Sequence, residues 1–266
     1  MPQKHNVHTN STVAEQRAPR GPLIFQNFFA INNMSRLHTR FLVPTDVPAL
    51  IELEQAKWEP DQAACAATLL QRIEANPQLC IGTFCSHSGR ALASLFMRPI
   101  NPAVFIAPTR WELTAKMNDD GNMPSNRHSL FGISLSSNNA AAAKKIFRFF
   151  YPRALKAGWR DIYLGSPIPG FQRAREEDPE LAAWEYVHRT KKSCSREPHD
   201  PQLGYYFKKG FKRIISIQAD YFPHGRSLNY GVILHGVIPL SGPRNFWKRM
   251  PFSVLKPLSF LLFCLI

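Results

Sequence analysis

Acidic residues are scarce in this sequence: 19 Asp and Glu stand against 33 Lys and Arg, a formal charge of +14. Nothing acidic follows Asp220. This balance favours a polyanionic partner, without choosing among nucleic acid, an acidic membrane surface and a phosphorylated cofactor. Cysteine is also sparse. The five (Cys65, Cys80, Cys85, Cys194, Cys264) are odd in number and form no CxxC pair. A disulfide framework and a zinc site are therefore not indicated, no metal is expected, and a reducing, cytoplasmic setting is the default. No long hydrophobic run occurs. The apolar end, Leu258 to Ile266, falls well short of the roughly 20 residues that cross a bilayer. The polar opening "MPQKHNVHTNSTVAEQRAPRGP" lacks the apolar core of a secretory leader, so residues 1–24 are expected to be a disordered lead.

What is present suits a globular enzyme-sized domain. At 266 residues and 44% hydrophobic content the chain can bury a substantial core. Residues 25–36 read as an apolar arm on a domain extending to about 240, and 241–266 as a basic, then apolar, tail. "HTRFLVPTDVPALIELEQAKW" predicts a short strand and a helix, with Thr45 and Asp46 as caps and Pro48 in the first turn. A second helix is expected from about Asp61 to "ANP". "LCIGTFC" and "ALASLFMRPI" predict an antiparallel pair. A loop-rich stretch, 101–128, precedes the strand "LFGISL" and the helix "SSNNAAAAKKIFRFFYPRALKAGW", with Pro152 as a kink and Gly158 as its stop. "DIYLGSP" is a strand entering a loop punctuated by glycine and proline. A long polar stretch, 172–199, interrupts the pattern, and within it "RTKKSCSR" (189–196) reads as a solvated loop long enough to serve as a lid over the acceptor site. Asp200, Pro201 and Gly210 punctuate one more helix, and two strands close the domain. The order predicts an α/β domain of α+β type, with a mixed sheet flanked by helices.

Five stretches in this order, "RW" at 110, "LFGIS" at 130, "GSPIPGF" at 165, "DPQLGYYFKKGF" at 200 and "DYFPHGRSLNYGV" at 220, resemble the GNAT acyltransferase superfamily over about residues 38–238. The subgroup they look like occurs alone, fused to nitrilase-like domains, or as polyketide-synthase loading domains. The resemblance implies a GNAT fold with a splayed parallel strand pair. It also implies direct transfer of an acetyl or other acyl group from coenzyme A, the co-substrate, to an amine acceptor, small molecule or protein. On that resemblance the central strand (Ile133, Ser134, Leu135) polarises the thioester carbonyl and binds pantetheine. The helix start (Asn138, Asn139, Ala141, Ala142, Ala143, Lys144) holds pyrophosphate, for which a helix N-terminus is suited. Ser166 and the "GSPIPGF" loop rim the slot. The family pattern here, Arg or Gln, two residues, Gly, one residue, Gly or Ala, is met only by Ala143. Asn138 and Ala141 depart from it, and Lys144 and Lys145 are the substitutes for the lost charge.

Tyr206, four residues before Gly210, matches the tyrosine that protonates the departing thiolate in that family. His128 and Asp220 are candidate bases, and His224 shares a turn with Ser227. Trp111, Thr114, Pro167, Phe171, Tyr221 and Ser227 are candidate acyl- or acceptor-binding residues. Two further readings follow: malonyl-CoA decarboxylation or transfer to a carrier thiol, and a non-catalytic module that binds a membrane or protein through its basic surface and tail. The tail reads first as an element packed on the core or on a second copy in a homodimer, and second as a peripheral membrane contact. Nucleic acid is disfavoured, because no recognition module is present.

Overall fold

Seven strands form one mixed sheet: β1 (Leu37–Phe41), β2 (Cys80–Cys85), β3 (Ala91–Pro99), β4 (Ser129–Ser137), β5 (Asp161–Pro167), β6 (Arg213–Gln218) and β7 (Gly231–Val237). Their spatial order is β1-β2-β3-β4-β5-β7-β6. Every neighbouring pair is antiparallel except β4 with β5. The computed structural model describes residues 37–58, 62–117, 128–191 and 196–264. The expected lead and the apolar arm at 25–36 lie outside the described residues.

Nine helices are seen among the described residues: α1 (Val47–Gln55), α2 (Ala66–Ala75), α3 (Trp111–Ala115), α4 (Ala140–Ala157), α5 (Phe171–Glu177), α6 (Ala183–His188), α7 (Pro201–Lys208), α8 (Arg244–Arg249) and α9 (Phe252–Cys264). On one face of the sheet, Leu50, Leu53, Leu69 and Ile73 of α1 and α2 pack on Phe96, Phe131 and Ile233. On the other, Ala142, Ile146 and Phe150 of α4 pack on Ile81, Leu95 and Leu130, joined by Trp247 of α8 and Leu255 of α9. Beside them Phe171, Tyr186 and Leu203 cover Val232 and Leu234. The alternation of Val232, Ile233 and Leu234 between faces is the period-two pattern of a strand buried on both sides. Each large apolar side chain contributes about 1.5–3 kcal/mol on burial.

The parallel pair determines the geometry of the site. Its ladder runs from Ser129 opposite Asp161 to Gly132 opposite Leu164 and stops. Both strands continue, β4 along β3 to Ser137 and β5 along β7 to Pro167. Met97 faces Gly132 and Phe96 faces Ser134, so Ile133 is an extra residue in β4. Such a bulge bends its strand and increases the local twist. The expected splay is therefore present, and Ile133 is its hinge.

Local expectations are met where punctuation is strong. Gly158 ends α4 with φ 79°, and Asp200 caps α7 by accepting from Gln202 N and Leu203 N. Helix α4 carries on through Pro152. α2 begins at Ala66, and Asp61, its expected start, lies outside the described residues. The loop-rich stretch 101–128 contains α3, and the polar stretch that interrupts the pattern contains α5 and α6, whose short turns single apolar anchors, Phe171, Leu181, Tyr186 and Val187, tie to the sheet. The tail is helical and packs on α4. No helix among the described residues is long and apolar enough to cross a membrane.

Candidate active site

Beyond Gly132 and Leu164 the facing edges of β4 and β5 are not paired with each other, which leaves backbone donors and acceptors along Ile133–Ser137 for a ligand. Ser134 lies in this unpaired half, and its Oγ is buried without a hydrogen-bond partner among the described residues. Ile133, Ser134 and Leu135 thus lie on the unpaired half of β4. Helix α4 starts three residues past β4. The Asn139 side chain accepts from Ala142 N at 2.9 Å, and the Asn139 carbonyl from Ala143 N at 3.0 Å. The amides of Ala140 and Ala141 head the helix, where no intrahelical acceptor exists, and their small side chains leave the backbone open. Asn138 and Lys144 are exposed at this end. Lys145 donates from Nζ to the Leu37 carbonyl at 2.9 Å, so of the two lysines offered as charge substitutes one is engaged with β1. These groups fit a phosphate-bearing, extended ligand.

The "GSPIPGF" loop is held rigidly from both sides. Ser227, fully buried, accepts the Ile168 N–H at 2.8 Å. Asp200 Oδ2 accepts from Gly170 N at 3.2 Å and from the Tyr186 hydroxyl at 2.9 Å. Ser227 Oγ also lies 2.7 Å from His224 Nδ1, a contact in which either group can be the donor. Burial lowers the His224 pKa, the Arg226 charge lowers it further, and Asp200 opposes both. The lowered pKa favours a neutral imidazole, tied through Ser227 to Ile168, the residue that follows β5.

Tyr221 closes the face toward α1 and α2. Its ring lies over two strands at once: a Cβ on Gly165 would meet Tyr221 Cε1 at 2.4 Å, and one on Gly231 would meet Tyr221 Cδ1 at 2.3 Å. Only glycine admits this ring. The Tyr221 hydroxyl pairs with Thr114 Oγ1 at 2.9 Å, and burial pushes its pKa upward against that hydrogen bond. Trp111, at the start of α3, donates N–H to the Tyr221 carbonyl at 2.8 Å. Trp111, Thr114 and Tyr221 are thus brought together as one wall, with Phe105 and Phe131 fully buried beside them.

Other candidates fall elsewhere. His128 precedes β4 at its opposite end, where its carbonyl accepts from Arg160 N and Asp161 N. With β4 rising about 3.3 Å per residue, it lies roughly 30 Å of strand from Ser137, and the structure does not bring it to the splay. Asp220 is on the right edge, in a left-handed turn with φ 50°, but it is exposed. The Ser166 hydroxyl donates to the Pro167 carbonyl, and Ser166 is fully buried. Phe171 is likewise fully buried against Tyr186 and Tyr230, which makes it a packing residue of the rim. Tyr206 packs in the cluster that includes Leu164 of β5. Burial raises its pKa, with a Gln202 hydrogen bond opposing. A phenol above pKa 10 gives up its proton reluctantly to a thiolate near 8.5, so Tyr206 suits a hydrogen-bond donor better than a proton source.

Sequence reasoning did not single out Glu54. It is 2% exposed, accepts from the Ser136 hydroxyl, and lies close enough to buried Arg72 to support its charge. Trp58 Nε1 donates to the same Ser136 at 2.7 Å. In the sequence Glu54 looks like any solvated helix carboxylate; only the pairing of α1 with β4 buries it. A surface cleft of about 460 Å³ bordered by Arg40, Asp46 and Phe84 lies at the β1 edge, remote from the splay. Arg40 and Asp46 are paired with each other there at 2.6 Å.

The fold and site define an α/β protein built around a splayed parallel pair with a helix N-terminus at its open end. No family model matches the chain, and no curated protein matches it in sequence. Among solved structures it is similar to the GphF GNAT-like decarboxylase in complex with isobutyryl-CoA, at 24% identity, TM-score 0.59, over 76% of this chain and 99% of that one. It is similar to the loading GNATL domain of CurA from Lyngbya majuscula at 16% identity, TM-score 0.60, over 76% of this chain and 98% of that one. It is also similar to malonyl-CoA decarboxylase from Rhodopseudomonas palustris, at 13% identity and TM-score 0.51, over 86% of this chain and 66% of that chain. The chain has the GNAT fold.

Proposed function

We propose that the chain binds an acyl-CoA along the open half of β4 and acts on its thioester-linked acyl group. The observation that carries this reading is the end of the β4/β5 ladder at Gly132 and Leu164, with the His224–Ser227 pair bonded to the residue that follows β5. The amides of Ala140 and Ala141 would receive pyrophosphate, with Lys144 nearby, and Ser134 would meet the pantetheine arm. Within that chemistry the geometry supports decarboxylation of a malonyl-type thioester best. With its proton on Nε2, His224 can donate a hydrogen bond to the thioester oxygen as the bond to the carboxylate breaks. Carbon dioxide leaves, the electron pair passes toward that oxygen, and a proton returned to carbon gives the shortened acyl-CoA. Ser227 acts through His224, as a positioning residue.

Direct transfer to an amine is the second reading, and Glu54 is the observation that favours it, as a buried carboxylate beside the open half of β4. Against it, Phe105, Phe131 and Tyr221 fill the face from which an acceptor would approach a thioester arriving from the α4 side. The neighbours named as decarboxylases are in keeping with the first reading. The experiment is to incubate the protein with malonyl-CoA and follow acetyl-CoA and carbon dioxide by mass spectrometry, beside acetyl-CoA with an amine panel. Decarboxylation reduced about a hundredfold or more by His224→Ala supports the proposal. Free coenzyme A appearing only with an amine moves it to the second reading. Titration of acyl-CoA into the Asn138→Asp, Lys144→Glu variant locates the pyrophosphate by loss of binding, and no binding by the unaltered chain overturns both readings.

A further inference from the structure

Helix α9 is apolar apart from Ser253, Lys256 and Ser259, and among the described residues only one side of it meets protein. Leu255 and Ser259 are buried against α4, with Leu258 and Leu262 partly buried beside them. Val254, Phe260 and Leu261, each more than half exposed, lie on the other side. Phe246 of α8 is exposed as well. A helix that needed only to cover α4 would carry polar residues on its outer face.

The charges around this face have one sign. Helices α4, α8 and α9 together contain nine Lys and Arg and no Asp or Glu. Lys248, Arg249 and Lys256 are exposed along the same two terminal helices. Arg148 reaches from α4 to stack on the ring of Phe260 at 4.9 Å, and Arg153 on that of Phe252 at 5.0 Å. Basic side chains thus flank and underlie the apolar strip. α9 at 1.5 Å per residue is about 20 Å long, short of a span, so the arrangement matches a helix lying in the plane of a membrane surface.

We propose that α8 and the outer face of α9 form a docking surface for an anionic lipid bilayer, with Val254, Phe260 and Leu261 entering the headgroup boundary and Lys248, Arg249 and Lys256 meeting lipid phosphates. Complementarity of charge selects lipid phosphate, and the exposed apolar strip between the cations selects a bilayer over nucleic acid, which would leave that strip in water. The surface does not depend on the catalytic reading: it is built on the tail helices, which contribute no residue to the proposed acyl-CoA site.

The test is co-sedimentation of the full chain with phosphatidylcholine vesicles, with or without roughly a third phosphatidylglycerol. Binding to the anionic vesicles only, weakened by salt, is expected. Lys248→Gln, Arg249→Gln, Lys256→Gln should lower partitioning about a hundredfold. Val254→Ser, Leu261→Ser, at exposed positions that leave the core intact, should lower it about tenfold or more, with thermal melting confirming that each variant folds. No sedimentation with anionic vesicles, or sedimentation indifferent to both variants, overturns the proposal. So does a dimer in solution that Val254→Ser, Leu261→Ser dissociates, because the strip then belongs to a second copy.

Discussion

The two ends of the β4/β5 pair are made from the same strands and do opposite things. At the closed end the ladder is complete, the His128 carbonyl accepts two backbone N–H groups, and His235 Nε2 meets Asp161 Oδ1 at 2.7 Å. At the open end the strands part after Gly132 and Leu164, and the work of holding β5 passes to side chains. Tyr221 lies across its glycine, Ser227 holds Ile168, and Asp200 holds Gly170. The difference teaches that a splay is not a loss of order. Backbone pairing on one side of β5 is exchanged for buried side-chain pairing, which leaves the β4 edge unpaired without letting the loop collapse.

Breaking the open-end supports should have the largest effects. Asp200→Ala removes four acceptor contacts and leaves the buried Tyr186 hydroxyl without its partner, for an expected loss of about 3–5 kcal/mol in denaturant unfolding. Asp200→Asn should recover part of it. Gly165→Ala forces a Cβ into the Tyr221 ring and should destabilise by about 1–3 kcal/mol, with acyl-CoA affinity falling alongside. Tyr221→Phe removes one buried hydroxyl contact with Thr114, and about 1 kcal/mol is expected from the unfolding midpoint.

A pH titration sharpens the comparison further. The His224 pKa is lowered on folding, so the folded state binds fewer protons there than the unfolded chain. The stabilising contribution is complete above the ordinary histidine value near 6.5 and is lost as pH falls through the lowered folded pKa. An NMR titration of the His224 ring, assigned with His224→Asn, should show a midpoint below 6.5, and a midpoint above it would reassign the pair. The smallest effect belongs to the closed end: His128→Ala should leave turnover unchanged, and a large loss there would end the contrast between the two ends.

Much of this was legible in the chain. Strong local chemistry carried over to structure: Asp200 before Pro201, Gly158 after an alanine-rich helix, and alternating apolar runs for the strands. Trp111, Thr114 and Tyr221 were separate candidates in the sequence, and the structure joins them by the hydrogen bonds of Thr114 and Trp111 to Tyr221. Glu54 was not legible, because a carboxylate one helical turn from solvent carries no mark of burial. His128 was misplaced because nearness in sequence to a central strand does not say at which end of it a residue lies. The short helices α3, α5 and α6 were not legible, because single anchors such as Phe171 and Tyr186 produce no period.

By itself, then, the sequence determined the α/β class, the mixed sheet, the caps and stops of its helices, and the one-sided charge, since these follow from residue chemistry within a few positions. Only the tertiary structure decided where β4 leaves β5, which histidine stands at that opening, that Tyr221 rests on two glycines from different strands, and which side of α9 stays uncovered. Each of these depends on register and packing between segments far apart in the chain, and no local preference specifies such contacts.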